Sequence, residues 1–183
     1  MIRLTSLGLA TAVLATACAG ADEPRPDDLG HPGLVGPDHY REICVSRRYA
    51  DAFTIGVATA TNESDESLEL RDLTLTKSDG ITLEGADFLV RDGRVDSFGV
   101  WNGYPPHGLA KEPLFTDLWS KREAVEGGMV EPGENVSFLL HLTGGPGVAT
   151  SGPIEVSYQD ESGDTGTWVS NVTYRIMFRC GGD

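Results

Sequence analysis

The fold is read most directly from Val172-Thr173-Tyr174-Arg175-Ile176-Met177-Phe178-Arg179-Cys180, next to the end of the given sequence. Val172, Tyr174, Ile176, Phe178 and Cys180 alternate with Thr173, Arg175 and Arg179. Side chains of a strand point to opposite faces with period two, so this pattern predicts a strand with one face in a core. Its β-branched and aromatic residues suit a pleated, half-buried surface.

The same period recurs upstream. Phe53-Thr54-Ile55-Gly56-Val57 alternates, as do Val136, Phe138, Leu140 and Leu142, and then Ile154, Val156 and Tyr158. Leu68 and Leu70 are out of phase with Leu73 and Leu75, and the slip at Arg71-Asp72 predicts a β-bulge. Ser78-Asp79-Gly80, Arg91-Asp92-Gly93-Arg94, Glu131-Pro132-Gly133-Glu134 and Gly163-Asp164-Thr165-Gly166 punctuate these runs as turns. Ile81 and Leu83 begin an arm that runs through Phe88 and Val90. A helical period is discernible only near residues 114–125. About seven short strands with frequent turns predict an all-β chain, an immunoglobulin-like antiparallel β-sandwich over residues 41–183.

Composition narrows the function classes. The chain has 183 residues, 14 Lys+Arg against 28 Asp+Glu, and a formal charge of −14. Nucleic-acid binding needs clustered cations to neutralise phosphate, so this balance argues against it. It also argues against electrostatic docking on anionic lipid. No apolar run reaches the ~18–20 residues of a membrane-spanning helix.

The N-terminus carries an address. Met1-Ile2-Arg3 is basic, Leu4 to Leu14 is small and apolar, and Leu14-Ala15-Thr16-Ala17-Cys18 follows. This is the pattern of a secretory signal peptide over residues 1–17. The cysteine directly after small residues resembles a bacterial lipoprotein signal, with Ala15 where such signals most often carry Leu. The resemblance implies cleavage before Cys18 and a diacylglycerol on its thiol. The protein would then be extracytoplasmic and anchored to the membrane through Cys18, at the outer membrane if the host has two. Two or more acyl chains anchor stably where one does not. Residues 18–40 follow as the lipidated Cys and an acidic tether. Asp22, Glu23, Asp27 and Asp28 alternate there with Pro24, Pro26, Pro32 and Pro37, without an apolar period, so disorder is expected. His31 and His39 in this stretch are too isolated to make a metal site. In an oxidising compartment the remaining even pair, Cys44 and Cys180, is expected to form a disulfide. Cys180 should point inward with Val172 to Phe178.

The run Trp119-Ser120-Lys121-Arg122-Glu123-Ala124-Val125-Glu126-Gly127-Gly128-Met129-Val130-Glu131-Pro132-Gly133 leads into an alternating strand and later the closing one. With the lipobox and acidic tether, the whole is similar to small secreted bacterial lipoproteins with a single immunoglobulin-like domain. That family shares a scaffold rather than an activity, so the resemblance implies no reaction.

Chemistry-bearing motifs are absent from the sequence. There is no HExxH, GxSxG, GxxxxGK[ST], GxGxxG or CxxC. No cofactor is called for, and a non-enzymatic role is expected. His141 alternates with Leu140 and Leu142 and is expected at the surface. No metal site is expected. Asp160, Glu161 and Asp164 could offer oxygen ligands to Ca2+, but read more simply as a solvated hairpin turn. The remaining feature is residues 94–122, where Phe98, Trp101, Tyr104, Phe115 and Trp119 surround Asn102-Gly103-Tyr104-Pro105-Pro106-His107-Gly108. A long aromatic segment without a period is either a cap on the sandwich or a recognition surface. Phe98, Trp101, Tyr104, His107, Phe115 and Trp119 are therefore the candidate partner surface. The expected function is a lipid-anchored module of the bacterial cell envelope that binds an envelope protein or glycan. The alternative is a small-ligand module for Ca2+ or glycan.

The anchor reading has a direct check. Wild-type protein should partition into detergent with the membrane fraction, and Cys18→Ala should be released. Retention of Cys18→Ala in the membrane would remove the reading.

Overall fold

The computed structural model describes residues 33–181, so Cys18 and the signal segment lie outside the described residues. In chain order the elements are β1 (Leu34–Val35), β2 (Arg41–Ser46), β3 (Ala52–Asn62), β4 (Leu68–Leu75), β5 (Ile81–Val90) and β6 (Gly99–Asn102). A 3-10 turn (Leu109–Lys111) and helix α1 (Pro113–Ser120) follow. Then come β7 (Glu123–Ala124), β8 (Met129–Val130), β9 (Asn135–Gly144), β10 (Ala149–Ser151), β11 (Ile154–Asp160), β12 (Thr165–Val169) and β13 (Val172–Met177). No helix among the described residues is long and apolar enough to cross a membrane.

The chain folds as an all-β, sandwich-like structure. One sheet runs β1-β3-β9-β5-β7, with β6 also paired to β3; a second runs β12-β11-β4-β8; a third runs β10-β13-β2. All three sheets contribute to one apolar core, which includes Phe53, Leu70, Phe88, Phe138, Leu140, Val156, Trp168 and Tyr174. The inward rows expected from alternation are there. Val136, Phe138, Leu140 and Leu142 are fully buried, as are Ile154 and Val156.

The bulge expected at Arg71-Asp72 is present. Ser157 faces Asp72 and Tyr158 faces Leu70, which leaves Arg71 as the extra residue. The bulge resets the phase, so Leu68 and Leu70 point into the same core as Leu73. β5 is reset in the same way at Glu84, between the pairs Leu83–Leu142 and Gly85–His141.

Three expectations change. Leu34–Val35, inside the stretch read as tether, pairs with Asn62 and Thr61 of β3. Leu34 is buried, and a lone apolar pair gives no periodic signal. Second, β2 and β13 pair in parallel, unlike the other ladders; alternation does not encode strand direction. Third, β13 ends at Met177, and Phe178, Arg179 and Cys180 are exposed. The sequence alternation outruns the ladder. Cys180 therefore leaves the inward row, although the expected Cys44–Cys180 disulfide is formed, with Cα atoms 5.8 Å apart. It staples the residues after β13 to the neighbouring strand β2 at the sheet margin instead of bridging the core.

The bridge joins positions separated by 136 residues, and a loop of that length removes much unfolded-state entropy. Changing both cysteines to serine should cost about 2–4 kcal/mol in urea unfolding. Unchanged stability would show that the unfolded chain is not constrained by the bridge.

Candidate functional site

The outer face of the β3-β9-β5 sheet is not left to solvent. Leu89, Leu139, Phe98, Leu109, Leu118 and Trp119 form a second buried cluster there. β9 is thus buried on both sides, with Val136, Ser137, Phe138, Leu139 and Leu140 buried in succession. The covering layer is residues 95–119, the segment whose aromatic content stood out.

Backbone bonds pin this layer to β3. Phe98 N donates to Gly56 O at 2.9 Å, and Gly103 N to Ala52 O at 2.7 Å. Thr54 Oγ1 donates to Gly103 O at 2.7 Å, fully buried. Between them β6 pairs with β3 from Phe53–Asn102 to Gly56–Gly99. Gly56 permits the close approach. A Cβ there would lie 2.6 Å from Phe98 Cβ and 2.7 Å from Leu139 Cδ2, closer than packed atoms come. Further on, Thr116 Oγ1 donates to Leu109 O at 2.6 Å, tying α1 to the 3-10 turn. Pro113 opens α1, where its fixed φ suits the first turn. The helical period near 114–125 corresponds to α1, which ends at Ser120.

The aromatic rings converge. The Phe98 ring centroid lies 5.8 Å from Trp101, 5.6 Å from Phe115 and 5.8 Å from Trp119. Trp101 and Phe115 meet at 5.1 Å, and Tyr104 meets Trp119 at 5.4 Å, both edge-on. Such pairs contribute ~0.5–1.5 kcal/mol each beyond their burial. Phe98 is 0% exposed and Trp119 9%, so these two are pillars of the layer and present no surface. Trp101, Tyr104 and Phe115 are half-buried and form its rim. His107 is exposed and lies over Gly103, outside the ring cluster.

Asp87, Arg122 and His141 complete the site; the first two carried no expectation, and His141 was expected at the surface. Asp87 Oδ2 accepts from the Tyr104 hydroxyl and, at 3.0 Å, from Arg122 Nε. The Arg122 guanidinium sits 4.1 Å from the Trp119 ring centroid, and its Nη1 donates to Trp119 O at 2.8 Å. His141 is half-buried, not a surface residue, and stacks on Tyr104 at 4.4 Å and 7°. The signal for this was the outward row Ser137, Leu139, His141, whose central leucine implies a cover. Asp87 and Arg122 gave no signal, because they meet only once 104–122 folds over the sheet.

The acidic hairpin behaves as a turn. Asp160 Oδ1 accepts from Ser162 Oγ at 2.7 Å and from Asp164 N at 2.8 Å. These bonds hold its carboxyl below the ordinary range. Asp160, Glu161 and Asp164 are not gathered into a group that could hold a metal, and no such group of three His, Cys, Asp or Glu occurs among the described residues.

The chain matches no protein-family model and no curated protein. Among solved structures it is similar to the secreted serine protease VesC from Vibrio cholerae, at 12% identity and a TM-score of 0.31. That match takes in 80% of this chain and 23% of the protease chain, so the chain spans less than a quarter of it.

Burial, and then the hydrogen bond to Asp87, push the Tyr104 hydroxyl up to about 12 from its ordinary 10.0. The folded chain keeps this proton where the unfolded chain releases it. Its share of stability is complete below pH 10.0 and is lost as pH rises through about 12. Urea unfolding across that window should therefore show a steeper decline for wild type than for Tyr104→Phe. Parallel curves would mean that the hydroxyl titrates freely.

Proposed function

We propose that this chain is a lipid-anchored, extracytoplasmic interaction module of the bacterial cell envelope. Its sandwich is read as an immunoglobulin-like domain held to the membrane through Cys18, and its partner as an envelope protein or glycan. The observation that carries the reading is the aromatic rim. Trp101, Tyr104 and Phe115 are half-buried and pack on the buried pillars Phe98 and Trp119. Pre-ordered aromatic side chains lose little entropy on binding, and such residues dominate interface energetics. The Cys44–Cys180 disulfide supports an oxidising compartment. The role is read as non-enzymatic, because the polar groups of the layer bond one another: Asp87 is engaged by Tyr104 and Arg122.

The test is crosslinking of the intact protein in its native membrane, followed by mass spectrometry. Trp101→Ala and Phe115→Ala, with melting temperature recorded, report on the rim, and Cys18→Ala reports on the anchor. A specific neighbour captured by wild type and lost from a folded Trp101→Ala protein is expected. Equal capture by both rim variants would assign the layer to capping alone.

A further inference from the structure

β4 and β5 follow one another through residues 76–80, yet they do not pair. β4 lies in the second sheet and β5 in the first, so the chain changes sheets at that turn and leaves a seam. On the seam side β4 meets β8 only at Leu68 and Glu69, and β5 meets β7 only at Asp87 and Phe88. Leu70 still exchanges bonds with Gly127 and Gly128. Past these points both strands are sheet edges among the described residues.

Alternation fixes which peptide groups face the seam. Thr76 N donates to Pro153 O on the β11 side at 2.9 Å, and Arg91 N to Asn135 O on the β9 side at 2.7 Å. The peptide groups of an antiparallel strand point to its two sides in turn. Counted back along each ladder, the N–H and C=O of Leu73 point away from β11, and those of Ala86 point away from β9. Leu73 and Ala86 both line one cleft of about 210 Å3.

The cleft has apolar walls and a charged mouth. Leu73 and Val125 are buried, Leu83 and Ala86 are half-buried, and Asp72, Glu84 and Glu126 are exposed around them. Arg71 is the one cation in the lining. Its guanidinium is turned to Glu69, at 2.7 Å, and to Gln159. Glu84 accepts from Thr143 Oγ1 at 2.8 Å. Asp72 and Glu126 form no ion pair among the described residues. The mouth is therefore not neutralised from within. The volume is below the ~300–1,000 Å3 of small-molecule sites, and it suits a single long side chain entering from outside.

We infer that this seam binds an extended basic segment of a partner protein, which pairs by its backbone with a free strand edge and places a lysine or arginine side chain in the cleft. It rests on the reading of the domain as an interaction module and adds a second contact, apart from the aromatic rim. Two independent features select the occupant. Unpaired strand edges recognise extended polypeptide through main-chain bonds. The lining selects the side chain, with an apolar stem against Leu73, Leu83, Ala86 and Val125 and a cationic head at Asp72, Glu84 and Glu126. A metal ion alone would leave the apolar walls and the peptide groups unmet. An apolar strand would desolvate the carboxylates without a partner for them.

The probe is a fluorescein-labelled peptide of alternating lysine and threonine, followed by anisotropy on the intact protein. One control carries glutamine for lysine; two others carry methyl groups on alternate backbone nitrogens, one in each register. Saturable binding of the unmodified peptide is expected. It should weaken at least about tenfold in the glutamine control, in one of the methylated peptides, and in Asp72→Asn/Glu126→Gln. The variant removes two of 28 acidic residues, so attraction to the overall charge of the chain would scarcely change, and binding that the variant retains would overturn the inference. Absence of binding at millimolar peptide overturns it too, as does binding indifferent to methylation in both registers, which would make this a cation site without strand pairing. If near-UV circular dichroism shows the double variant unfolded, Glu126→Gln alone replaces it. Crosslinking in the native membrane separates the two readings. A neighbour captured by wild type and lost from Trp101→Ala, with no peptide bound here, removes this seam alone; no neighbour and no bound peptide remove the interaction reading as well.

Discussion

The structure depends on one strand that is buried on both faces. β9 carries Val136, Phe138, Leu140 and Leu142 into the main core and Leu139 into the second cluster. A sheet with one solvated face needs only one apolar row per strand. Here the central strand also carries Leu139 and the buried Ser137 on its other face, so that face must be covered. That requirement recruits residues 95–119. It also explains Gly56, whose missing side chain lets Phe98 come down onto the sheet. The aromatic layer is a consequence of β9 before it is anything else.

This sets what the layer can do. Phe98 and Trp119 are committed to burial, and Asp87 and Arg122 to holding the rim in place through Tyr104 and the Trp119 face. What the layer leaves exposed to the contact proposed above is the outer edge of Trp101, Tyr104 and Phe115. Rigid and half-desolvated side chains contribute most per unit area when a partner covers them, because ordering them costs little further entropy. On the proposed reading, a capping role and a contact role share one segment, divided residue by residue and not by loop.

Alternation reads burial well and direction poorly. The inward rows of β9, β11 and β13 were legible because period two leaves a mark in the sequence. The bulge at Arg71 was legible because it breaks that mark. The parallel pairing of β2 with β13 leaves none, since a strand's face pattern is the same in either direction. The end of β13 was also hidden: Phe178 keeps the phase but lies beyond the ladder. Among site residues, the aromatics were conspicuous by composition. Asp87 and Arg122 were not, being single charges on a chain rich in charge. Their roles exist only in the pairing of β5 with the segment that follows α1.

The disulfide links these two lessons. A cysteine in phase with a buried row suggests a core bridge, and the pairing Cys44–Cys180 was correct while its place was not. At the margin, the bond holds the chain after β13 against β2, beyond the last ladder hydrogen bond. Without it, the side-chain bond from Ser46 Oγ to Phe178 O would tie this stretch to β2 by itself. A covalent tie there spends no core volume and leaves aromatic and guanidinium groups exposed in one arrangement. Exposed phenylalanine is ordinary when scattered. Phe178 is exposed for the same reason that Cys180 is: the ladder stops at Met177, and the disulfide, not a neighbouring strand, sets the path beyond it.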